Sequence, residues 1–120
     1  MSNKTKEERI NKEIKRLKKI FSDLPENVQS LCEGLINRAA YMRVTLEDYE
    51  ADMDANGYVE QFTQSKDTEP YERGRPVVNF YNTMAKNYQT IIKQLVERLP
   101  EDSAQDAVEE INAFISGGKK

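Results

Sequence analysis

Residues 76–100, PVVNFYNTMAKNYQTIIKQLVERLP, carry the most regular apolar pattern of the 120-residue chain. Apolar and aromatic residues recur there at alternating steps of four and three, the spacing of one face of an α-helix. They are Val77, Tyr81, Met84, Tyr88, Ile91 and Leu95, with Phe80, Ile92 and Leu99 alongside. Pro76 and Pro100 bound the pattern, since proline suits the first turn of a helix and interrupts its interior. The sequence therefore predicts a long helix with one buried face.

A second apolar stripe lies nearer the N-terminus and begins after Pro25. Its members are Val28, Cys32, Leu35, Ala39, Met42 and Leu46, flanked by Leu31, Ile36 and Ala40. Residues 45–48, TLED, have the composition of a helix N-cap, so we expect a kink or a new helix there. Asn56 and Gly57 are typical of a helix end. Two long helices joined by a loop predict an antiparallel helical hairpin.

The segment between the two stripes, residues 57–75, lacks the helical pattern. Residues 58–63, YVEQFT, are rich in β-prone side chains, and residues 65–67 are typical of a turn. A short β-hairpin and an extended loop both fit this segment.

The N-terminal segment is amphipathic and strongly basic. Thr5 and Glu8 fit a capping box, and Ile10, Ile14 and Leu17 follow at helical spacing. Its cations are Lys4, Lys6, Arg9, Lys12, Lys15, Arg16, Lys18 and Lys19. Residues 1–20 carry a charge of +5, whereas the remaining residues carry −8. This asymmetry indicates a basic arm for a polyanion, although a solvated helix face fits the same residues. Repetition around an oligomer would strengthen the weak DNA binding of one such arm.

The C-terminal segment, residues 101–120, is acidic and amphipathic. It predicts a short helix whose narrow apolar stripe is a candidate partner-binding surface. The stripe consists of Val108, Ile111, Phe114 and Ile115. Packing of this helix back onto the hairpin is the alternative.

The composition argues against several classes of function. The chain contains no histidine and one cysteine, which excludes a histidine base, a histidine metal ligand and an internal disulfide. We find no glycine-rich phosphate loop and no nucleophile with a base, so we expect no enzymatic activity, cofactor or metal site. The carboxylates of residues 47–54 are interpreted as a solvated face. No apolar run is long enough for a bilayer and no apolar signal core is present, so we expect an intracellular protein without membrane contact.

The sequence thus predicts a mainly α protein with three regions. Residues 1–22 form a basic N-terminal helix, residues 23–100 the hairpin core with a short β-like loop, and residues 101–120 an acidic C-terminal helix and tail.

The order of elements resembles that of the small terminase subunits of tailed bacteriophages and prophages. The likeness covers roughly residues 25–100 and rests on a long helix, a glycine-bounded β-like excursion at residues 57–64, a proline-marked start and a second long helix. It runs from the first of these helices through residues 68–100, TEPYERGRPVVNFYNTMAKNYQTIIKQLVERLP.

The resemblance implies a non-enzymatic DNA-packaging subunit in the cytoplasm of a bacterial host. Residues 25–99 would form the core of a homo-oligomeric ring, and the cations of residues 4–19 would bind double-stranded viral DNA. The stripe of residues 108–115 would contact the large terminase subunit, which holds the motor. The chain shows no clear helix-turn-helix module before the hairpin, which favours contacts with the DNA backbone over base reading. The alternative is a small helical protein-interaction or regulatory module without nucleic-acid binding.

Overall fold

Three helices and one two-stranded sheet make up residues 5–100, the part of the chain that the computed structural model describes. In chain order they are α1 (Lys6–Ile20), α2 (Glu26–Asn56), β1 (Val59–Phe62), β2 (Tyr71–Gly74) and α3 (Pro76–Val96). The prediction of a mainly α protein with a short β element is confirmed.

The starts of α1, α2 and α3 coincide with the capping box and the two prolines that predicted them. At the start of α1, the hydroxyl of Thr5 accepts a hydrogen bond from the amide of Glu8 at 3.1 Å, and the amide of Thr5 donates to the Glu8 carboxylate at 2.9 Å. This capping box satisfies two amides that have no partner inside the helix. Pro25 is the N-cap residue of α2, and Pro76 is the first residue of α3.

Helix α2 runs unbroken for 31 residues, so the new helix predicted as one alternative at Thr45 is not formed. Thr45, Leu46 and Met53 are buried within it, and Leu46 and Met53 continue the apolar stripe of α2. A cap requires the backbone to leave the helical conformation, which would lift these side chains out of the core. Burial therefore overrides the local capping signal.

Residues 59–74 form a β-hairpin, the first of the two alternatives for this segment. The strands are antiparallel, with Val59 opposite Gly74 and Phe62 opposite Tyr71. The Phe62 and Tyr71 rings meet edge to face with their centroids 5.8 Å apart. Arg73 lies over the Phe62 ring and donates to the Glu60 carboxylate at 2.7 Å, so cross-strand contacts hold the hairpin together.

Polar contacts join the end of α2 to the start of α3. Gly57 has a φ of 83°, a conformation that favours glycine, and its amide donates to the Met53 carbonyl at 2.8 Å. The guanidinium of Arg75 donates to the Gly57 carbonyl at 2.8 Å and to both carboxylate oxygens of Asp52 at 3.0 and 3.1 Å. Hydrogen bonds from Asn56 and Arg75 lower the pKa of Asp52.

One turn further on, the hydroxyl of Tyr81 donates to the carboxylate of Glu50 at 2.9 Å. Partial burial, together with this hydrogen bond to the carboxylate, raises the pKa of Tyr81 to about 12. A tyrosine in an unfolded chain loses its proton at a pH of about 10. The contact therefore stabilises the fold fully below pH of about 10, and its contribution is lost as the pH rises to about 12.

We expect Tyr81→Phe to lower the thermal denaturation midpoint at neutral pH, because the hydrogen bond is lost. The gap between variant and wild type is expected to narrow as the pH rises from about 10 to about 12, since the wild type then loses the same contribution. Denaturation followed by circular dichroism across this pH range measures the gap. A gap that stays constant contradicts this interpretation of the contact.

The core lies where the three helices meet. Its buried members are Leu17, Phe21, Cys32, Ile36, Ala39, Ala40, Met42, Leu46, Tyr88, Ile92, Leu95 and Leu99. Cys32 is fully buried among them, as expected of a small apolar residue. Most of the predicted stripe residues on α2 and α3 lie in this core or pack against it.

Two residues of the predicted stripes are not buried. Leu31 on α2 is 74% exposed, and Phe80 on α3 is 59% exposed. Both lie at the edge of their stripe, where neither α1 nor the facing helix reaches them. Their assignment to a buried face is therefore wrong within this one chain.

Within residues 5–100, no helix combines the length and the apolar character needed to cross a membrane.

Candidate nucleic-acid interface

An open cleft of about 570 Å³ lies between α1 and α2, and we call it the α1–α2 cleft. Six cations and two carboxylates line it, so its charge is strongly positive. The lining residues are Arg9, Lys12, Glu13, Lys15, Arg16, Lys19, Arg43, Val44 and Glu47. The amphipathic pattern of α1 explains the arrangement, because Leu17 anchors one side of the helix in the core and leaves the cations beside it.

Glu13 is the buried centre of the polar contacts in the cleft, and its side chain is 10% exposed. Arg16 donates to its two carboxylate oxygens at 2.9 and 2.8 Å, and Arg43 on α2 donates to one of them at 3.3 Å. The hydrogen bond with Glu13 raises the pKa of Arg16, which therefore stays charged. Glu13 thus connects α1 to α2 through Arg43, and Arg16 on its own helix shares the same carboxylate.

The contacts continue to the start of α1. Arg9 donates to Asp48 at 2.6 Å and to Glu47 at 3.2 Å, and Arg43 lies 3.6 Å from Glu47. Its hydrogen bond to Asp48 raises the pKa of Arg9. Four of the five acidic residues at 47–54, where the sequence indicated a solvated face, have partners in the structure. Arg9 on α1 pairs with Glu47 and Asp48, the Tyr81 hydroxyl donates to Glu50, and Arg75 before α3 pairs with Asp52. Asp54 is exposed.

The lysines of the cleft have a different environment. Lys12, Lys15 and Lys19 are exposed, and no carboxylate among residues 5–100 pairs with any of them. Steps of three and four residues place them on one side of α1, along about 10 Å of the helix axis. Arginine charges in the cleft are compensated by carboxylates, whereas these three ammonium groups are available to an anion from solution.

The structure separates the predicted DNA-binding residues into groups. Arg9, Lys12, Lys15, Arg16 and Lys19 meet in the cleft. Lys6 lies 4.6 Å from the centre of the Tyr41 ring, and Lys18 points towards Glu33 at 3.8 Å, so neither joins them. Lys4 and the candidate partner-binding residues, Val108, Ile111, Phe114 and Ile115, lie outside the described residues.

Sequence reasoning missed Arg43 and the role of Glu13. The sequence does mark both positions, because each is a charged residue among apolar ones. Glu13 lies between Ile10 and Leu17 on the apolar face of α1. Arg43 lies between Met42 and Val44. A charge at such a position needs a partner when it is buried. Glu13 and Arg43 are thirty residues apart in the chain. That they are partners follows only from the packing of α1 on α2.

We expect Glu13→Gln to lower the free energy of unfolding by about 1–2 kcal/mol. The amide keeps one acceptor oxygen but turns an NH₂ group towards the guanidinium groups of Arg16 and Arg43. The loss is moderate because these side chains are 31% and 21% exposed and regain water. Urea denaturation measures it.

The matched control is Glu7→Gln on the same helix. Glu7 is exposed, and no other side chain among residues 5–100 pairs with it, so its replacement is expected to change the stability by less than about 0.5 kcal/mol. Equal losses in the two variants would mean that the helix charge, and not the cleft contacts, sets the stability.

Among residues 5–100, no three cysteine, aspartate or glutamate side chains come together in a way that could hold a metal ion.

Comparison with known proteins returns no relative: no protein-family model, curated protein or solved structure matches the chain.

Proposed function

We propose that this chain is a non-enzymatic DNA-packaging subunit of the small terminase type. It oligomerises, binds viral double-stranded DNA and presents it to the motor of a large terminase subunit in the cytoplasm of a bacterial host. The observation that carries the proposal is the row of Lys12, Lys15 and Lys19 on the rim of the α1–α2 cleft.

The charge arrangement supports binding to the DNA backbone. Phosphate groups attract exposed ammonium groups and release counterions, and this interaction does not depend on the base sequence. The three lysines are exposed and without a carboxylate partner among residues 5–100, so binding DNA breaks no ion pair of theirs. The arginine contacts to Glu13, Glu47 and Asp48 fix α1 on α2, which keeps the lysine row in place.

The arrangement of the helices supports the assembly role. In this proposal α2 and α3 are the two arms of an antiparallel hairpin within residues 23–100, and neighbouring copies pack through it into a ring. The link between Arg75 and Asp52 at one end of the pair, and the joint core of Cys32, Ile36, Tyr88 and Leu95, are the contacts expected of such a hairpin.

Repetition of α1 around an oligomer would strengthen the weak DNA binding expected of a single basic helix. One α1 contributes few phosphate contacts, but a ring presents one lysine row from each copy to the same DNA. The net charge of −3 for the whole chain does not oppose this, because Lys12, Lys15 and Lys19 are exposed and no carboxylate among residues 5–100 pairs with them. The acidic C-terminal region, residues 101–120, is proposed to contact the large subunit.

Titration of a fluorescently labelled DNA duplex with the full chain, followed by anisotropy, tests the proposal. We expect binding at low salt whose affinity falls as the salt concentration rises, with a logarithmic slope of roughly −0.9 for each phosphate contact. Similar affinity for duplexes of unrelated sequence is expected of backbone contacts. Failure to bind any duplex at low salt would contradict the proposal.

A protein-interaction module without nucleic-acid binding is the second candidate. The exposure of Leu31 and Phe80 favours it, because a partner that covered these side chains would remove apolar surface from water. The same titration separates the candidates, since this module would leave the anisotropy of the duplex unchanged.

A further inference from the structure

The β-hairpin of residues 59–74 contributes nothing to the helical core. No residue of β1 or β2 is buried, and the apolar side chains of Val59 and Tyr71 are about half exposed. A two-stranded sheet alone is only marginally stable in water and gains stability when a helix or a further strand packs against it. The β-hairpin is therefore an element without a packing partner, and a helical surface would stabilise it.

The free charges of the β-hairpin are mainly acidic. One ion pair, Glu60 with Arg73, joins the two strands. The remaining charged residues of 59–74 are exposed and have no ion-pair partner among residues 5–100; they are Lys66, Asp67, Glu69 and Glu72. We call Val59, Tyr71 and these three carboxylates the hairpin patch.

Two contacts give the alignment of α2 and α3 in the proposed helical hairpin. The Tyr81 hydroxyl donates to Glu50. Seven residues further along α3, the Tyr88 hydroxyl lies beside Arg43, which is seven residues before Glu50. The same alignment, continued for twelve more residues, places Leu31 at the level of residue 100, just beyond the end of α3. The α2 residues around Leu31 and the end of α3 therefore lie together.

This end of the helix pair carries free positive charge. Leu31 is 74% exposed, Arg38 follows it after two helical turns on the same side of α2, and Arg98 follows the end of α3. Both arginines are exposed, and no carboxylate among residues 5–100 pairs with either. We call Leu31, Arg38 and Arg98 the far-end patch. Leu31 lies twenty-five residues before Asn56, where α2 ends, and so about 38 Å along the helix from the start of the β-hairpin.

The two patches are complementary, but this distance keeps them apart within one chain. Each combines an exposed apolar side chain with free charges, and the charges of the two patches are opposite in sign. Nucleic acid could neutralise the far-end patch only, since the carboxylates of the hairpin patch would repel it. A second copy of the chain supplies a cover for both.

We propose that the β-hairpin of one copy docks on the far end of the α2–α3 pair of the next copy. Arg38 and Arg98 then face the carboxylates of the hairpin patch, and Leu31 is covered by its apolar residues. Because the contact joins two different patches, it links copies head to tail, and such a contact generates a ring when the rotation between copies closes. The inference rests on the oligomerisation in the proposed function and assigns that contact to two surfaces.

Absolute masses from light scattering test the assignment, with the full-length variants Leu31→Glu and Val59→Glu. Each adds a carboxylate at an exposed position, so far-ultraviolet circular dichroism is expected to match that of the wild type. We expect an assembled wild type and, at the same concentration, a shift of both variants towards the mass of 13.9 kDa for one chain. The matched control is Gln89→Glu, at an exposed position of α3 outside both patches, and its mass is expected to equal that of the wild type.

An equal mixture of the two variants tests the head-to-tail arrangement. The Leu31→Glu chain keeps an intact hairpin patch, and the Val59→Glu chain keeps an intact far-end patch, so one contact between them can form. The two patches left over both carry the added carboxylate. We therefore expect a particle of twice the mass of one chain and no larger species. A mixture that stays monomeric, or that regains the mass of the wild type, overturns the assignment.

Reversal of one free charge gives a second measurement that leaves apolar packing untouched. Arg38→Glu places a carboxylate opposite the acidic hairpin patch, so we expect dissociation at concentrations where the wild type is assembled. Lys86→Glu makes the same change at an exposed position of α3 outside the patches and is expected to leave the mass unchanged. Equal dissociation of these two variants would show that net charge governs assembly and overturns the assignment.

The masses also separate this inference from the proposed function. An assembled wild type whose mass is unchanged by Leu31→Glu and by Val59→Glu overturns the assignment to the two patches and leaves the oligomeric subunit standing. A monomeric wild type overturns both the assignment and the ring, and the DNA titration then shows separately whether the lysine row binds DNA.

Discussion

Replacing Lys12, Lys15 and Lys19 together with glutamine is expected to lower the affinity for duplex DNA roughly a hundredfold for each bound copy at about 0.15 M salt. The magnitude follows from counterion release, in which each lost phosphate contact costs somewhat less than a factor of ten at that ionic strength. The logarithmic salt dependence is also expected to flatten by roughly 2 to 3 for each bound copy. Anisotropy titrations of wild type and variant at several salt concentrations give both numbers.

The matched control for this variant removes the same charge elsewhere. Lys66 in the β-hairpin and Lys86 and Lys93 on α3 are exposed and lie outside the cleft. Their joint replacement with glutamine is expected to change the affinity by less than about threefold, since distant exposed charges are screened. Equal losses from the two triple variants would show that the net charge, and not the α1–α2 cleft, governs DNA binding.

The second large effect is expected from Leu17→Ala. Leu17 is 1% exposed and is the buried apolar residue of α1, in the same core as Phe21 and Ile36. Truncation to alanine loses burial and leaves a cavity, so we expect the free energy of unfolding to fall by about 2–5 kcal/mol. Urea denaturation measures the loss.

Lys15→Ala on the same helix is the control for Leu17→Ala. Its side chain is exposed, and alanine favours helix, so we expect a change within about 0.5 kcal/mol. A loss for Leu17→Ala no larger than that of the control would mean that α1 is not docked on α2 in solution. The fixed lysine row, and with it the support for the DNA interface, would then have no basis.

The ends of the helices are the part of the fold that the sequence predicts best. Thr5 with Glu8, Pro25, the pair Asn56 and Gly57, and Pro76 each act through local chemistry: a cap, a missing amide, or a backbone conformation that glycine favours. Such signals depend on a few neighbouring residues, so they can be recognised without the tertiary structure. Helical spacing is also a local pattern, so most of the buried positions of α2 and α3 could be predicted from it.

Features that depend on packing were not predictable in the same way. The N-cap signal at Thr45 is overridden because the residues around it are buried on one continuous helix. Leu31 and Phe80 belong to apolar stripes, but the packing of the three helices leaves both side chains exposed. The pairing of Arg9 with Asp48 and of Arg43 with Glu13 joins residues far apart in the chain, so the composition of the cleft emerges only from the docking of α1.

The site shows the same division between local and long-range information. The basic character of α1 could be read from the sequence, and five of the eight cations assigned to DNA lie in the cleft. The sequence does not show which of these cations lack a carboxylate partner. The carboxylates that pair with Arg9 and Arg16 include residues on α2 and Glu13 within the basic helix itself. The structure thereby narrows the proposed DNA contact from the whole helix to Lys12, Lys15 and Lys19.

The proposed function requires that the chain assembles and that the assembly binds DNA. Light scattering of the full chain, alone and with a short DNA duplex, at low and high salt, measures both in one experiment. We expect a particle many times heavier than the 13.9 kDa chain that gains the mass of the duplex at low salt and releases it at high salt. A monomer at high concentration that gains no mass when the duplex is added would contradict the proposed function.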